Sequence, residues 1–233
     1  MSDQRFAVIG LGQFGSAIAK NLSYRGAEVL AIDSSLEKVE SIKDEVSHAV
    51  ALDATDKKAL LSQNIQDLDA VVVAIGENFQ ALLLCTFLLI ELKVKRIITR
   101  SMGNNQRRIL EKMGVTEILS PEDEVGGNVA EMLLNPNVVM CMQLPDDYEI
   151  VEVKAPSAIF GRNLGDIGLR EKYKLNLVTI LRKKEDSSEE NDNSTKDYHI
   201  IGVPDSNTII QKTDIIIIFG LTKNIERFLE INN

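Results

Sequence analysis

Arg5-Phe6-Ala7-Val8-Ile9-Gly10-Leu11-Gly12-Gln13-Phe14-Gly15 is the stretch that sets the reading of this chain. An apolar run ends in glycines spaced G-x-G-x-x-G, and a helix-like segment, Phe14–Arg25, follows at once. A strand, a tight turn and a helix are the context in which this spacing holds a phosphate. The first glycine permits the turn, the second removes a Cβ where a phosphate approaches the backbone, and the third lets the helix pack on the strand. The helix N-terminus adds free amides and a partial positive charge.

Outward from this turn the pattern repeats. Apolar runs stand at Glu28–Ile32, His48–Leu52, Ala70–Ile75, Arg96–Thr99 and Glu117–Leu119. They show little polar alternation, as expected of strands buried on both faces of a parallel sheet. Between them lie Leu36–Glu45, Lys57–Asn64, Asn78–Leu92 and Asn105–Met113, each long enough for a crossover helix. Six such units predict an α/β fold with a Rossmann-like, doubly wound parallel sheet.

Ser120-Pro121-Glu122-Asp123-Glu124 reads as a helix start, with a capping hydroxyl, a proline in the first turn and acids at the positive dipole end. The helix is expected to reach Leu134, where Asn135-Pro136-Asn137 stops it. The domain boundary is placed there, giving a nucleotide-binding domain at 1–136 and a smaller α+β domain at 137–233. In the second part Val151–Val153, Leu175–Leu181, His199–Val203 and Ile215–Phe219 read as strands, and Asn163–Arg170 and Asn224–Glu230 as helices. The stretch Glu185 to Asp197 is rich in acids and lacks any apolar residue, so it is expected to be a solvated loop.

Several polar residues fall at the strand ends where a doubly wound sheet binds ligands. Asp33 closes the second strand and is placed to accept hydrogen bonds from ribose hydroxyls; its charge disfavours a 2′-phosphate. Asp53, Ala54 and Thr55 follow the third strand, where an adenine would lie, although Asp53 also reads as a simple helix cap. Ile75 and Gly76 end the fourth strand beside the expected pocket. Arg100 ends the fifth and either faces a phosphate or is a plain surface residue.

The 233 residues carry 26 Lys+Arg against 35 Asp+Glu, a net charge of −9, with no basic block. Nucleic acid is therefore not an expected partner. No apolar stretch is long enough to span a bilayer and no leader pattern opens the sequence, so a cytoplasmic protein is expected. Cys85 and Cys141 show no metal spacing and read as buried thiols. His48 and His199 sit in no motif, and no Ser/His/Asp or Cys/His set appears. The site reads as one that binds rather than transforms, so the chain is not expected to be an enzyme. An NAD-dependent oxidoreductase is the alternative, and a stand-alone nucleotide sensor a third reading.

These residues resemble the regulator-of-K⁺-conductance (RCK) family, in particular the cytosolic regulatory subunits of bacterial Trk/Ktr-type potassium uptake systems. The likeness runs through Phe6–Gly12, Gly26–Asp33, Ala70–Gly76, Leu110–Gly114, Ser120-Pro121-Glu122 and Lys212-Thr213-Asp214. It implies a potassium-transport function. A homodimer, assembled into an octameric ring beneath a membrane-embedded K⁺-translocating subunit, would gate that subunit in response to ATP, ADP or NAD(H). The chain would then be peripheral on the cytoplasmic face of the membrane through its partner.

The resemblance assigns the phosphate turn to Gly10, Gly12, Gln13, Phe14 and Gly15, the ribose to Asp33, and the adenine side to Asp53, Ala54 and Thr55. It places a basic residue facing the phosphates at Arg100. Glu122 matches an acid that holds Mg²⁺ or Ca²⁺ in relatives. Cyclic di-AMP is implied as a ligand of the second domain, near Arg170, Ile180 and Pro204. One departure stands out: ATP-sensing relatives often carry Arg where this chain has Gln13. A neutral amide makes a weaker bond to a γ-phosphate than a charged donor does, so either ATP and ADP are expected to be poorly distinguished or NAD(H) or another adenine nucleotide is expected to be preferred.

Overall fold

The computed structural model describes residues 4–184 and 197–233. Its first part contains β1 (Arg5–Ile9), α1 (Gln13–Tyr24), β2 (Glu28–Asp33), α2 (Leu36–Ile42), β3 (His48–Ala51), α3 (Lys57–Ser62), β4 (Ala70–Val73), α4 (Phe79–Glu91), β5 (Ile97–Arg100), α5 (Asn104–Lys112) and β6 (Glu117–Leu119). The six strands are parallel in the order β3-β2-β1-β4-β5-β6. This is the expected doubly wound sheet, with the order reversing beside β1.

Unbroken Val, Ile and Ala runs make the sheet because both of its faces are covered. All four residues of β4, Ala70–Val73, are buried. One face packs Val8, Ala31 and Val72 against Ala19, Val39 and Ile42. The other packs Ala7, Ile9, Val71 and Val73 against Leu60, Leu82, Leu89 and Leu110. Alternate residues of each strand thus serve opposite cores. Cys85 belongs to the second of these, and burial pushes its thiol up to about 12.

The helix α6 (Pro121–Leu134) begins at the proline as expected. The Ser120 hydroxyl does not cap it, however. That oxygen pairs with the Ser101 hydroxyl at 3.0 Å and accepts from Arg107 at 3.2 Å, while the Ser120 carbonyl accepts the Glu124 amide. The chain divides into compact units at Met1–Glu124 and Val125–Asn233, inside α6, whereas the sequence places the boundary after Pro136.

The second unit holds β7 (Val138–Gln143), β8 (Tyr148–Lys154), α7 (Leu164–Ile167), α8 (Leu169–Tyr173), β9 (Asn176–Lys183), β10 (Tyr198–Ile200), β11 (Ile215–Leu221) and α9 (Thr222–Asn232). Its sheet is antiparallel in the order β10-β9-β11-β8-β7. The strand β7 is not foreseen by the sequence reading, and the single expected helix Asn163–Arg170 is two short ones separated at Gly168. That residue has φ +71°, a left-handed conformation that glycine adopts without penalty and that ends a helix. Val151, Val153, Ile180, Ile216 and Ile218 pack against Ile225 and Phe228 of α9. Arg182 grips the fully buried carboxylate of Asp214 through two hydrogen bonds of 2.9 and 2.7 Å. Residues 185–196, most of the expected acidic loop, lie outside the described residues.

Candidate functional site

The glycine turn joins β1 to α1, and its three glycines meet three different constraints. Gly10 has φ +96°, and a Cβ there would come within 2.9 Å of the Ile75 amide nitrogen. A Cβ on Gly15 would lie 1.8 Å from the Gly10 carbonyl oxygen, so helix and turn touch there. Gly12 differs: a Cβ there would meet nothing within 4 Å. The space beside Gly12 is open, at the N-cap of a 12-residue helix that has no side-chain cap. Free amides facing open space are what an anion needs.

Asp33 braces this turn. Its Oδ2 accepts the Leu11 amide at 2.7 Å and its Oδ1 accepts the Ser35 amide at 2.9 Å. The Lys38 ammonium lies 3.8 Å from the same carboxylate. Asp53 and Thr55 form a local turn, in which Asp53 Oδ1 accepts both the amide and the hydroxyl of Thr55. The Thr55 bonds hold the Asp53 carboxyl below its ordinary range. The cap of α3 falls instead to Asp56, which accepts from the Lys58 amide.

A cavity of about 800 Å³ opens over the strand ends. Gly10, Gly12, Gln13, Phe14, Asp33, Asp53, Ala54, Thr55, Ile75, Gly76, Arg100 and Glu122 all line it. Among the residues that the sequence assigns to the first domain's site only Gly15 stays outside, buried beneath the turn where helix meets strand. The cavity lies at the carboxyl ends of the parallel strands and next to the reversal of strand order, the usual ligand position in such sheets. Its size suits a ligand of drug or nucleotide dimensions.

Lys38, Asn78 and Met102 also line the cavity and were not singled out from the sequence. Asn78 carried a signal: it precedes an apolar helix, and its Oδ1 caps α4 by accepting the Ala81 amide at 3.0 Å. Lys38 lies near Asp33 only because α2 turns back after β2, which local patterning does not encode.

Glu122 pairs with the Arg100 guanidinium. Among the described residues no group of three or more His, Cys, Asp or Glu side chains gathers to hold a metal ion. In the second unit Ile180 is fully buried in the core, and the Arg170 Nε donates to Asn176 Oδ1 at 2.7 Å. Neither His48 nor His199 lines the cavity, and both are exposed. No helix among the described residues is long and apolar enough to cross a membrane.

Residues 6–121 match the TrkA-N domain and residues 148–233 the TrkA-C domain. The chain is 36% identical over 225 residues to the Ktr system potassium uptake protein C of Bacillus subtilis (strain 168), covering 97% of this chain and 96% of that one. It is 35% identical over 228 residues to the Ktr system potassium uptake protein A of the same organism, covering 98% and 96%. Among solved structures, the GsuK channel superposes with a TM-score of 0.67 at 11% identity, covering 97% of this chain and 38% of that one. At that identity the likeness is one of fold.

Proposed function

Since the chain belongs to the family of potassium uptake proteins built from a TrkA-N and a TrkA-C domain, we propose that it is a nucleotide-binding regulatory subunit that gates a membrane K⁺-translocating partner. The observation that carries this reading is the single cavity into which Gly12, Asp33, Asp53 and Arg100 are gathered from four different strand ends. An adenine nucleotide fits the placement. Its phosphates would meet the α1 amides and Arg100, its ribose the free lone pairs of Asp33, and its base the Ala54–Thr55 edge.

Gln13 is the first residue of α1 and is exposed at the cavity. As a neutral donor at the far end of the phosphate chain it supports a ligand preference that does not depend strongly on a γ-phosphate. The regulatory effect would come from the difference in ligand affinity between two states of an assembly of copies, because a ligand shifts an equilibrium only by that difference. The chain would work at the cytoplasmic face of the membrane as a dimer or larger ring.

Calorimetric titration of the purified chain with ATP, ADP, AMP and NADH tests the reading, together with K⁺ flux through the reconstituted membrane subunit. Binding of at least one of these ligands, with less than about tenfold preference for ATP over ADP, and a flux that changes with that ligand are expected. If none of the four binds, or if the chain is a monomer at micromolar concentration by light scattering, the reading is wrong.

A further inference from the structure

Arg100 is held by more than one neighbour, yet it is not satisfied. Its guanidinium pairs with the Glu122 carboxylate in the first turn of α6. Its Cζ lies 5.4 Å from the centroid of the Phe14 ring, and a terminal nitrogen lies so close to Gly76 that a Cβ there would come within 3.1 Å of it. The Nε is buried and has no hydrogen-bond partner among the described residues. A buried donor left unpaired carries a desolvation cost, so the guanidinium is not at its best in this arrangement.

The two members of the pair differ in their surroundings. The Arg100 side chain is 17% exposed and is fixed by Phe14 and Gly76, whereas the Glu122 side chain is 50% exposed. The acid is the solvated and exchangeable partner. A guanidinium presents its donors as a planar fork that matches phosphate oxygens, so a phosphate can take the terminal nitrogen that Glu122 now occupies. A carboxylate left beside a bound phosphate would repel it.

We infer that Glu122 is an intramolecular competitor for the anion position: it occupies the guanidinium of Arg100 that a ligand phosphate takes, and the phosphate displaces it. This rests on the nucleotide reading of the cavity and adds a regulatory step to it. Displacement leaves an unpaired acid in the first turn of α6, the helix within which the chain passes from one compact unit to the next.

The test is calorimetry with adenosine, AMP and ADP in EDTA, on the wild type, Glu122→Gln, Arg100→Gln and the double variant. A half-exposed ion pair contributes little, so Glu122→Gln should bind AMP and ADP only about two- to fivefold more tightly than the wild type. The gain should shrink in high salt, where exposed charges are screened. Adenosine, which has no phosphate, should bind both proteins equally. The gain should vanish when Arg100 is also replaced. Equal or weaker binding of AMP and ADP by Glu122→Gln overturns the competition, as does an equal gain for adenosine. A folded wild type that binds none of the three overturns the nucleotide reading itself.

Discussion

The amide of Leu11 donates a 2.7 Å hydrogen bond to Oδ2 of Asp33, joining the inside of the glycine turn to the end of the neighbouring strand β2. Leu11 and Asp33 are both buried there. Asp33 Oδ1 takes the Ser35 amide as well. A carboxylate offers about four acceptor positions, so each oxygen retains one for a ribose hydroxyl. The same acid therefore shapes the glycine turn and, in the proposed nucleotide site, would present a ribose contact.

Replacing Asp33 should thus affect both stability and binding. Asp33→Ala leaves the buried Leu11 amide without its partner, which costs about 1–3 kcal/mol. It should also lower adenine-nucleotide affinity by more than about tenfold, since a ribose contact and the shape of the turn are lost together. Asp33→Asn keeps one acceptor and should lose less stability. Thermal melts and calorimetry on the two variants separate the effects. Unchanged nucleotide affinity in Asp33→Ala would remove this residue from the site.

The glycines of the turn should separate folding from binding. Gly15→Ala places a methyl group 1.8 Å from the Gly10 carbonyl oxygen, a backbone atom that cannot swing aside. It should destabilise the chain by about 3 kcal/mol or more. Gly12 has φ −70° and open space around its Cβ position, so Gly12→Ala should fold with an unchanged or slightly higher Tm. Its methyl group would nonetheless stand where a phosphate approaches, and nucleotide affinity should fall. Loss of stability in Gly12→Ala, or full nucleotide affinity, would contradict the assignment.

Glu149 gives the second unit a pH dependence. It sits on the inward face of β8, the same face as Val151 and Val153, and accepts a weak hydrogen bond from the Cys141 thiol at 3.3 Å. Burial lifts its carboxyl above the ordinary value of 4.5; the Cys141 thiol and Thr222 oppose this, while the charges of Glu131 and Glu226 add to it. The folded chain then holds a proton that the unfolded chain has released, so stability falls as pH rises from 4.5 through the elevated folded value. Glu149→Gln should therefore melt at a higher temperature than the wild type at pH 7, with the gap closing as pH falls towards 4.5. Parallel melting curves at both pH values would show that the carboxylate carries no such cost.

The N-terminal sheet was readable because its signals are local. Apolar runs without alternation mark strands covered on both faces, and glycine spacing marks the turn. The second unit was harder. In β7, Val138-Val139-Met140-Cys141-Met142-Gln143 has no polar alternation, so although Asn135-Pro136-Asn137 and Pro145-Asp146-Asp147 flank it, its identity as a strand depends on pairing with β8. The strand β8 itself looked three residues long because Glu149 interrupts its apolar pattern, although the ladder runs from Tyr148 to Lys154. Ser120 looked like a helix cap because Ser before Pro usually is one; its hydroxyl instead joins Ser101 and Arg107, which packing of α5 and β6 brings to it.

By itself, then, the sequence determined the doubly wound sheet, the glycine turn and the identity of the polar residues at the strand ends. Those features follow from periodicity and steric freedom within a few consecutive residues. Tertiary structure decided what each polar group is bonded to: Asp33 to the turn it serves, Arg100 to Glu122 rather than to solvent, and Glu149 to a thiol inside a core. Such partners are many residues apart along the chain, and only the order and register of the strands bring them within hydrogen-bonding reach.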